Sequence, residues 1–280
     1  MKRFAALLIA AVVLAALFAG CSSSKKVKVI DIKLTDEEYA FGVAKNQPDL
    51  LAKVNEFIAK IKGDGTFDAI CDKYFEGGTP EGVVSAELDT SKDQLVVATN
   101  AAFEPFEFMK GDKYCGIDME VAAMLAEYLG KELAISNMNF DAVLLSVEQG
   151  KADIAMAGLT VNEERKQLVN FSDTYYNASQ KIIVMENDKT FDDCETAEDV
   201  EKVLSELKDG TKVGFQNGTT GQFYIEGDED WGFDGFKNLK GVGYASGSLA
   251  VQDMVNGNIK LVVIDEEPAN SIAKATNELN

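Results

Sequence analysis

Short apolar segments of strand length alternate with stretches of helical periodicity over most of this chain, and that alternation limits the possible folds more than any other feature. Leu95-Val96-Val97-Ala98 reads as a strand. Val121, Ala122, Leu125, Ala126 and Leu129 then recur at helical spacing, and Gly130 stops that helix. Leu133 to Ile135 reads as a strand, Asp141 to Gln149 as a helix, Asp153 to Ala157 and Lys181 to Val184 as strands. A second series follows. Thr196 with Asp199 has the form of a capping box for a helix over Ala197 to Leu207. Val213 to Phe215 is a strand running into the loop Gln216 to Gly221, Ser246 to Val255 a helix, Leu261 to Ile264 a strand, and Glu267 onward a final helix. Such alternation predicts parallel sheets covered by helices, here in two α/β lobes joined by a short crossing. Ligands of open α/β sheets sit beyond the carboxyl ends of the strands. Asn100, Gly158 to Arg165, Gln216 to Gly221 and Asp265 all fall there.

Lys2 and Arg3 precede the apolar run Phe4 to Phe18, and Ala19-Gly20 then lead to Cys21. This is a secretory leader over residues 1–20. Its small residues ahead of a cysteine look like the lipoprotein variety, in which Cys21 becomes the lipidated N-terminus; the alternative is an ordinary leader with an incidental cysteine. Residues 21–26 then form a short polar tether. No later stretch approaches the ~20 apolar residues of a membrane span. The expectation is an exported globular protein, lipid-anchored to the outer face of the cell membrane. With Lys2 and Arg3 gone, 25 basic residues face 47 acidic ones, a formal charge of −22. Nucleic-acid binders need basic faces, so that class is excluded. A composition that is 46% hydrophobic supplies a large core for one or two domains.

The chain has no histidine. Ser-His-Asp and Cys-His nucleophilic sites are thereby removed, as are the usual His-containing zinc sites. Neither a metal nor a cofactor is expected. Cys71, Cys115 and Cys194 remain beyond Cys21, with no CxxC spacing; the odd number leaves at least one unpaired, while a Cys71–Cys115 bridge is open.

Beyond the leader Arg165 is the only arginine, and it closes the run Ala157-Gly158-Leu159-Thr160-Val161-Asn162-Glu163-Glu164-Arg165. A guanidinium offers a planar fork that grips a carboxylate through two parallel hydrogen bonds, which a lysine cannot do. One reading is a receptor for the carboxylate of a small molecule. The other is a surface ion pair in a lysine-biased chain.

Residues 95 to 184 resemble the extracellular amino-acid-binding proteins of bacterial ABC importers, the polar-amino-acid family that includes glutamine-binding protein. The matching text is Ala98-Thr99-Asn100-Ala101-Ala102-Phe103-Glu104-Pro105-Phe106-Glu107-Phe108, then Gly116-Ile117-Asp118, Phe140-Asp141-Ala142, Gly150-Lys151-Ala152-Asp153, Ala157 to Arg165, and Asn170-Phe171-Ser172-Asp173-Thr174-Tyr175-Tyr176. Val213 to Asp265 resembles the second lobe more loosely. The resemblance implies a two-lobed periplasmic-binding-protein-like fold of type II with parallel-sheet lobes and a two-segment hinge. It further implies a monomer whose partners are a free L-amino acid and a membrane permease, and no catalytic residues.

The order of the pieces departs from that family, which ordinarily ends with a hinge strand, a helix and a short aromatic-rich helix. Here Tyr39-Ala40-Phe41-Gly42-Val43 resembles the hinge, with Ala40 and Gly42 transposed from the usual pattern. Pro48 to Lys62 and the segment ending Asp72-Lys73-Tyr74-Phe75 resemble the two helices. These elements stand at the front of the chain, which implies a circular permutation. The expected organisation puts 27–38 and 187–280 in the smaller lobe, and 39–75 and 94–186 in the larger one. Residues 76–93 would link the ancestral ends. Permutation of this kind is tolerated where old termini are close and the new cut is an exposed loop.

By the same resemblance Arg165 takes the ligand's carboxylate, helped by the Thr160 main chain and hydroxyl. Asp265 takes the ammonium from the opposite lobe. The Gly158 carbonyl, in the run that begins at Ala157, also accepts from the ammonium. Thr219 and Thr220, in the loop Asn217 to Gly221, supply backbone donors, and Phe103 and Phe140 sandwich the ligand's side chain. Asn100 stands where some relatives carry Asp; with Gln216 also neutral, this argues for a neutral ligand. Trp231, between Asp230 and Gly232, is read as structural. The rival function on this fold is an exported cyclohexadienyl dehydratase-like enzyme. A carboxylate acid is conceivable without histidine, yet no Glu or Asp pair marks the cleft. Sensory ectodomains share the fold too, and no signalling segment follows here.

Overall fold

The computed structural model describes residues 25–279, so the leader, Cys21 and Ser22 to Ser24 lie outside the described residues. Two five-stranded sheets carry the fold, and the chain starts in one, crosses to the other and returns to the first. It begins in one sheet with β1 (Val27–Ile30) and crosses as β2 (Glu37–Tyr39). It joins the other sheet as β3 (Gly42–Ala44), followed by α1 (Pro48–Gly63) and α2 (Thr66–Phe75). That second sheet is completed later by β4 (Gln94–Thr99), with a meander β5 (Ala102–Phe103), β6 (Glu107–Lys110) and β7 (Lys113–Cys115) beside it. Then come α3 (Ile117–Leu129), β8 (Glu132–Asn137), α4 (Phe140–Glu148), β9 (Ile154–Ala155), α5 (Glu163–Leu168) and β10 (Val169–Phe171). The chain returns through β11 (Tyr176–Ala178) to β12 (Gln180–Met185), α6 (Ala197–Glu206), β13 (Thr211–Gln216), α7 (Thr220–Glu226), β14 (Leu239–Tyr244), α8 (Gly247–Val255), β15 (Leu261–Asp265) and α9 (Glu266–Glu278).

The local chemistry accounts for these elements. In α3 the apolar stripe Val121, Ala122, Leu125 and Ala126 is buried, and Gly130 ends the helix in the left-handed region. In α6 the Thr196–Asp199 capping box is formed in both directions, and only Val200 and Leu204 are buried. The strand β14 escaped the sequence reading because glycines at 241 and 243 dilute its pattern.

The sheets are mixed, which corrects the expectation of parallel lobes. The larger lobe runs β10-β3-β9-β4-β8 and the smaller one β1-β12-β15-β13-β14. β4 is parallel to β8 and β9, and β13 is parallel to β14 and β15. By contrast β3 is antiparallel to β9 and β10, and β12 is antiparallel to β1 and β15. β3 and β12, the two strands that run against the rest, are the ones that enter from the crossings. A strand arriving from the neighbouring lobe starts at the cleft end of the sheet, whereas a strand fed by a helix of its own lobe starts at the far end.

Two crossings join the lobes, and they pair as an antiparallel ribbon in which Tyr39 faces Tyr176. Tyr39, Phe41, Phe106 and Tyr175 cluster there; the Phe41 and Tyr175 rings stack at 4.4 Å, and Tyr39 meets Phe106 edge-on at 5.2 Å. Aromatic contacts of this kind contribute ~0.5–1.5 kcal/mol each beyond area burial, so they fasten the ribbon to the larger lobe. Residues 76–93 lie along that lobe as a strap. Val83 bridges Tyr114, the Ala86 N–H donates to the Leu133 carbonyl, and Ser85 accepts from the Ile135 N–H at 2.7 Å. At the other end of the molecule, the Asn277 side chain exchanges two hydrogen bonds with the Val27 main chain, at 2.8 and 2.9 Å.

Candidate functional site

The carboxyl ends of β4, β9, β13 and β15 converge where the lobes meet. Phe103, Phe140, Gly158, Thr160 and Arg165 from the larger lobe and Gln216, Thr219, Thr220 and Asp265 from the smaller one line a narrow space at that junction. Nine of the eleven candidate ligand-binding residues therefore line one small space between closed lobes. The other two stand a layer behind it: Ala157 packs into an apolar cluster with Ala98, Val143 and Leu159, and Asn100 braces Gln216.

Arg165 is positioned by α5, whose N-cap Asn162 accepts from the Arg165 N–H at 2.8 Å. Its guanidinium donates through Nη1 to the Thr160 carbonyl at 2.7 Å and through Nη2 across the cleft to the Gly218 carbonyl at 3.0 Å. It also lies over the Phe140 ring at 5.4 Å and over the Trp231 ring at 5.0 Å. Burial pulls its pKa down to about 10 against the upward pull of Glu37, Asp265 and Glu164. Two carbonyl bonds use two of the fork's five N–H donors.

Across the cleft, Asp265 ends β15 and accepts a 2.5 Å hydrogen bond from the Tyr39 hydroxyl. Burial, and then the nearby Glu37 carboxylate, push its pKa up to about 7, although Tyr39 and Gln180 work the other way. Gly158 takes φ +52°, and a Cβ there would stand 2.9 Å from the Phe103 ring, so only glycine fits. Its N–H donates to Asp118 Oδ2 at 3.0 Å; Asp118 is itself buried, accepts from Tyr175 at 2.8 Å, and has its pKa pushed up by burial to about 7.

The amide chain behind the pocket has a fixed polarity. The Met138 carbonyl can only accept, so Asn100 must donate to it through Nδ2 at 2.7 Å. That turns Asn100 Oδ1 toward Gln216, whose Nε2 donates to it across the cleft at 3.0 Å. Gln216 Oε1 is left as a buried acceptor without a partner among the described residues.

One residue of the site was missed by the sequence reading. Glu37, on the first crossing, is buried and accepts from Thr35 at 2.6 Å, Thr160 at 2.6 Å, Thr220 at 2.7 Å and Gln180 at 3.0 Å. A threonine hydroxyl has one proton to give, so Thr160 and Thr220 spend theirs on Glu37. The only signal in the sequence was an acid two residues before the hinge tyrosine. Cys71, Cys115 and Cys194 are all free thiols, with Cys71 raised to about 12 chiefly by burial. Among the described residues no His, Cys, Asp or Glu cluster could hold a metal ion.

This two-lobed geometry agrees with comparisons to known proteins. The profile of bacterial extracellular solute-binding proteins, family 3, matches residues 95–262. The arginine-binding extracellular protein ArtP of Bacillus subtilis is 35% identical over 95 residues, which are 34% of this chain and 37% of ArtP. ABC transporter arginine-binding protein 1 of Escherichia coli is 27% identical over 191 residues, covering 68% of this chain and 70% of that protein. The solved structure of holo ArgBP from T. maritima superposes with a TM-score of 0.54 at 33% identity, covering 66% of this chain and 75% of that one. An ancestral arginine-binding protein bound to glutamine gives 0.52 at 31% identity, covering 68% and 75%. These relatives are binding proteins, not enzymes. The chain belongs to the bacterial extracellular solute-binding proteins, family 3.

Proposed function

We propose that this protein is an extracellular receptor that closes its two lobes on a free L-amino acid and delivers it to an ABC-importer permease. The observation that carries the reading is the placement of Arg165 and Asp265, a buried cation and a buried carboxylate, on opposite lobes around one small enclosed space. A zwitterion completes both at once, and only with the lobes together, so binding and closure become one event. The ligand carboxylate falls to the free donors of Arg165 and to the main-chain N–H groups of Thr220 and Gly221 at the start of α7, because the Asn217, Gly218 and Thr219 N–H groups are bonded within the lobe and the Thr160 and Thr220 hydroxyls are engaged by Glu37. The ammonium falls to Asp265 and the Gly158 carbonyl. Phe103 and Phe140 wall the ligand's side chain.

The side chain of the ligand is uncharged and carries a hydrogen-bond donor. Asn100 and Gln216 present no charge to it, and the orphaned Gln216 Oε1 accepts that donor. Glutamine has this chemistry, and one similar protein of known structure was solved with glutamine bound. Arginine is the competing ligand, favoured by the names of the relatives and by the acids of the 228–234 turn. Calorimetric titration against all twenty L-amino acids tests both. Micromolar or tighter binding of glutamine, about −8 kcal/mol or better, with arginine at least tenfold weaker supports the neutral reading. The reverse order overturns it, and no heat from any amino acid overturns the receptor.

The anchor rests on Cys21, with Ala19-Gly20 before it and Ser22 to Ser24 after it. Mass spectrometry of the N-terminal peptide tests it: an acylated Cys21 is expected, and an unmodified cysteine sinks it.

The chain order is read as a circular permutation. Residues 27–75 supply one strand to each sheet, the strap 76–93 leads from α2 to β4, and Val27 lies beside Asn277. The family profile starts only at residue 95. A rearranged chain of 94–280 followed by 27–75 is expected to bind as the natural one does, while 94–280 alone fails to fold. A folded, binding 94–280 fragment overturns the permutation.

A further inference from the structure

We infer that Trp231 is a positioning residue of the ligand site: on closure the smaller lobe lays its indole over the Arg165 guanidinium. The inference rests on the receptor reading above and goes beyond it, since that reading gives Trp231 no part in binding. Those residues form a tongue that begins where α7 ends. The tongue is pinched at its base, where the Phe236 N–H donates to the Ile225 carbonyl and Asp228 exchanges two main-chain hydrogen bonds with Phe233, at 2.9 and 3.0 Å. Gly227 and Gly235 meet at that pinch with φ +87° and +64°; a Cβ on Gly235 would stand 2.4 Å from the Gly227 nitrogen. At the tip, Asp228 Oδ1 accepts from the N–H groups of Asp230 and Trp231, at 2.9 and 3.2 Å, which is an Asx-type turn. The indole then stacks on Phe223 at 4.9 Å and lies near-parallel to Phe233 at 6.4 Å.

So supported, Trp231 projects to the other lobe. The Arg165 guanidinium carbon lies 5.0 Å from its ring centroid, and the indole N–H approaches Glu164 at 3.5 Å. Phe140 of the larger lobe holds the same guanidinium at 5.4 Å. Guanidinium groups stack on aromatic faces because the ring quadrupole attracts the cation and because the planar ion is weakly hydrated. With rings from both lobes against it, Arg165 loses water and rotational freedom while its N–H edge stays available for a carboxylate. The Trp231 contact exists only when the lobes are closed, so it joins the orientation of the anchor to the closing motion.

Trp231 is the only tryptophan in the chain, so its fluorescence reports the contact without a label. Wild-type protein is titrated with each of the twenty L-amino acids, followed by calorimetry and by tryptophan emission in parallel. Every amino acid that gives heat is expected to shift the emission to shorter wavelength and reduce acrylamide quenching. W231L is expected to weaken binding about tenfold, and W231F to restore it to within about threefold. The ligand-free melting temperature of W231L should stay within about 1–2 °C of wild type, less than 1 kcal/mol would move a domain this size, while its ligand-induced rise shrinks. Heat with unchanged emission, or a W231L protein that binds normally, overturns this inference and leaves the receptor intact. A loss of binding matched by a large drop in ligand-free melting temperature reduces Trp231 to support of its own loop and overturns it as well. Absence of heat from all twenty overturns both.

Discussion

Two cations are buried in this protein to similar depth, and they are handled in opposite ways. Lys181, at the root of the second crossing, is 3% exposed and Arg165, in the cleft, is 7% exposed. Lys181 has two carboxylates, Asp31 at 2.5 Å and Glu266 at 2.8 Å. Burial alone would pull its pKa down, but those hydrogen bonds and charges more than offset it, and the net shift is upward. Arg165 has no carboxylate within ion-pair distance among the described residues; its fork meets carbonyls and rings, and burial carries its pKa down. A buried charge left with dipoles alone is costly unless something arrives to complete it. In the proposed receptor, the completed charge belongs to the frame, and the cation without a carboxylate belongs to the ligand site.

The comparison predicts opposite consequences for the two deletions, and Arg165 gives the largest effect. Arg165→Ala is expected to weaken amino-acid binding by ~2–5 kcal/mol, since the ligand carboxylate would enter a buried site with no cation. Arg165→Lys should also lose much of the affinity, because an ammonium cannot make the fork. The ligand-free melting temperature should hardly fall in either. Lys181→Ala should do the reverse, lowering stability by ~1–3 kcal/mol with binding nearly intact. Calorimetry and thermal melts of the two variants decide it, and equal losses in both assays would erase the distinction.

Next in size is the pH response of the carboxylate opposite Arg165. Burial and then Glu37 push the Asp265 carboxyl up to about 7 between the closed lobes, and an ammonium ligand requires the ionised form. Affinity is therefore expected to fall as pH drops below about 7, by up to tenfold per unit. Stability runs the other way. A carboxyl whose folded pKa is raised above its unfolded one contributes stability that is complete below about pH 4 and is lost as pH rises through about 7. Asp118, also raised to about 7 by burial, adds to that stability trend. Ligand-free melting temperature should climb from pH 8 to pH 5 while binding weakens. Asp265→Asn should flatten the pH dependence of whatever binding remains, and Asp118→Asn should keep it. Parallel pH profiles of binding and melting would contradict the assignment.

Gly158→Ala probes the floor between the two charges. The new methyl would meet the Phe103 ring at 2.9 Å in a backbone conformation that L residues seldom adopt, a strain of order 1–3 kcal/mol. Some of that strain should appear as lost stability and some as weaker binding, because Phe103 and Gly158 both line the pocket. Unchanged melting and unchanged affinity together would show that the floor can shift freely.

Much of this was legible in the sequence, because the parts that signal themselves are local. A capped helix or a short apolar strand announces itself within about a dozen residues, as Thr196 to Leu207 and Val213 to Phe215 do. Arg165 stood out through its uniqueness, and its neighbours Gly158 and Thr160 came with it in one run. What stayed hidden depends on distance along the chain. Glu37 gains its role from Thr160 and Thr220, which lie 123 and 183 residues away. Trp231 faces Arg165 across 66 positions and sits among acids that read as a solvated turn. The antiparallel strands β1 and β3 are short, and their partners come more than 100 residues later.

The smallest effect expected sharpens the Arg165–Lys181 contrast at its structural end. Asp31 bonds Lys181 at 2.5 Å, yet the Asp31 side chain is itself 96% exposed. Its pKa is lowered first by the hydrogen bond from Lys181 and then by that lysine's charge, but water screens most of the value of an exposed partner. Glu266, far less exposed at 23%, keeps Lys181 compensated when Asp31 is neutralised. Asp31→Asn is therefore expected to cost under ~1 kcal/mol of stability and to leave amino-acid binding unchanged, as read by thermal melting and calorimetry. A loss as large as that of Lys181→Ala would mean that the first crossing is held to the smaller lobe by this one contact. In that case the paired cation is a fastening of the hinge, and altering it should change closure too.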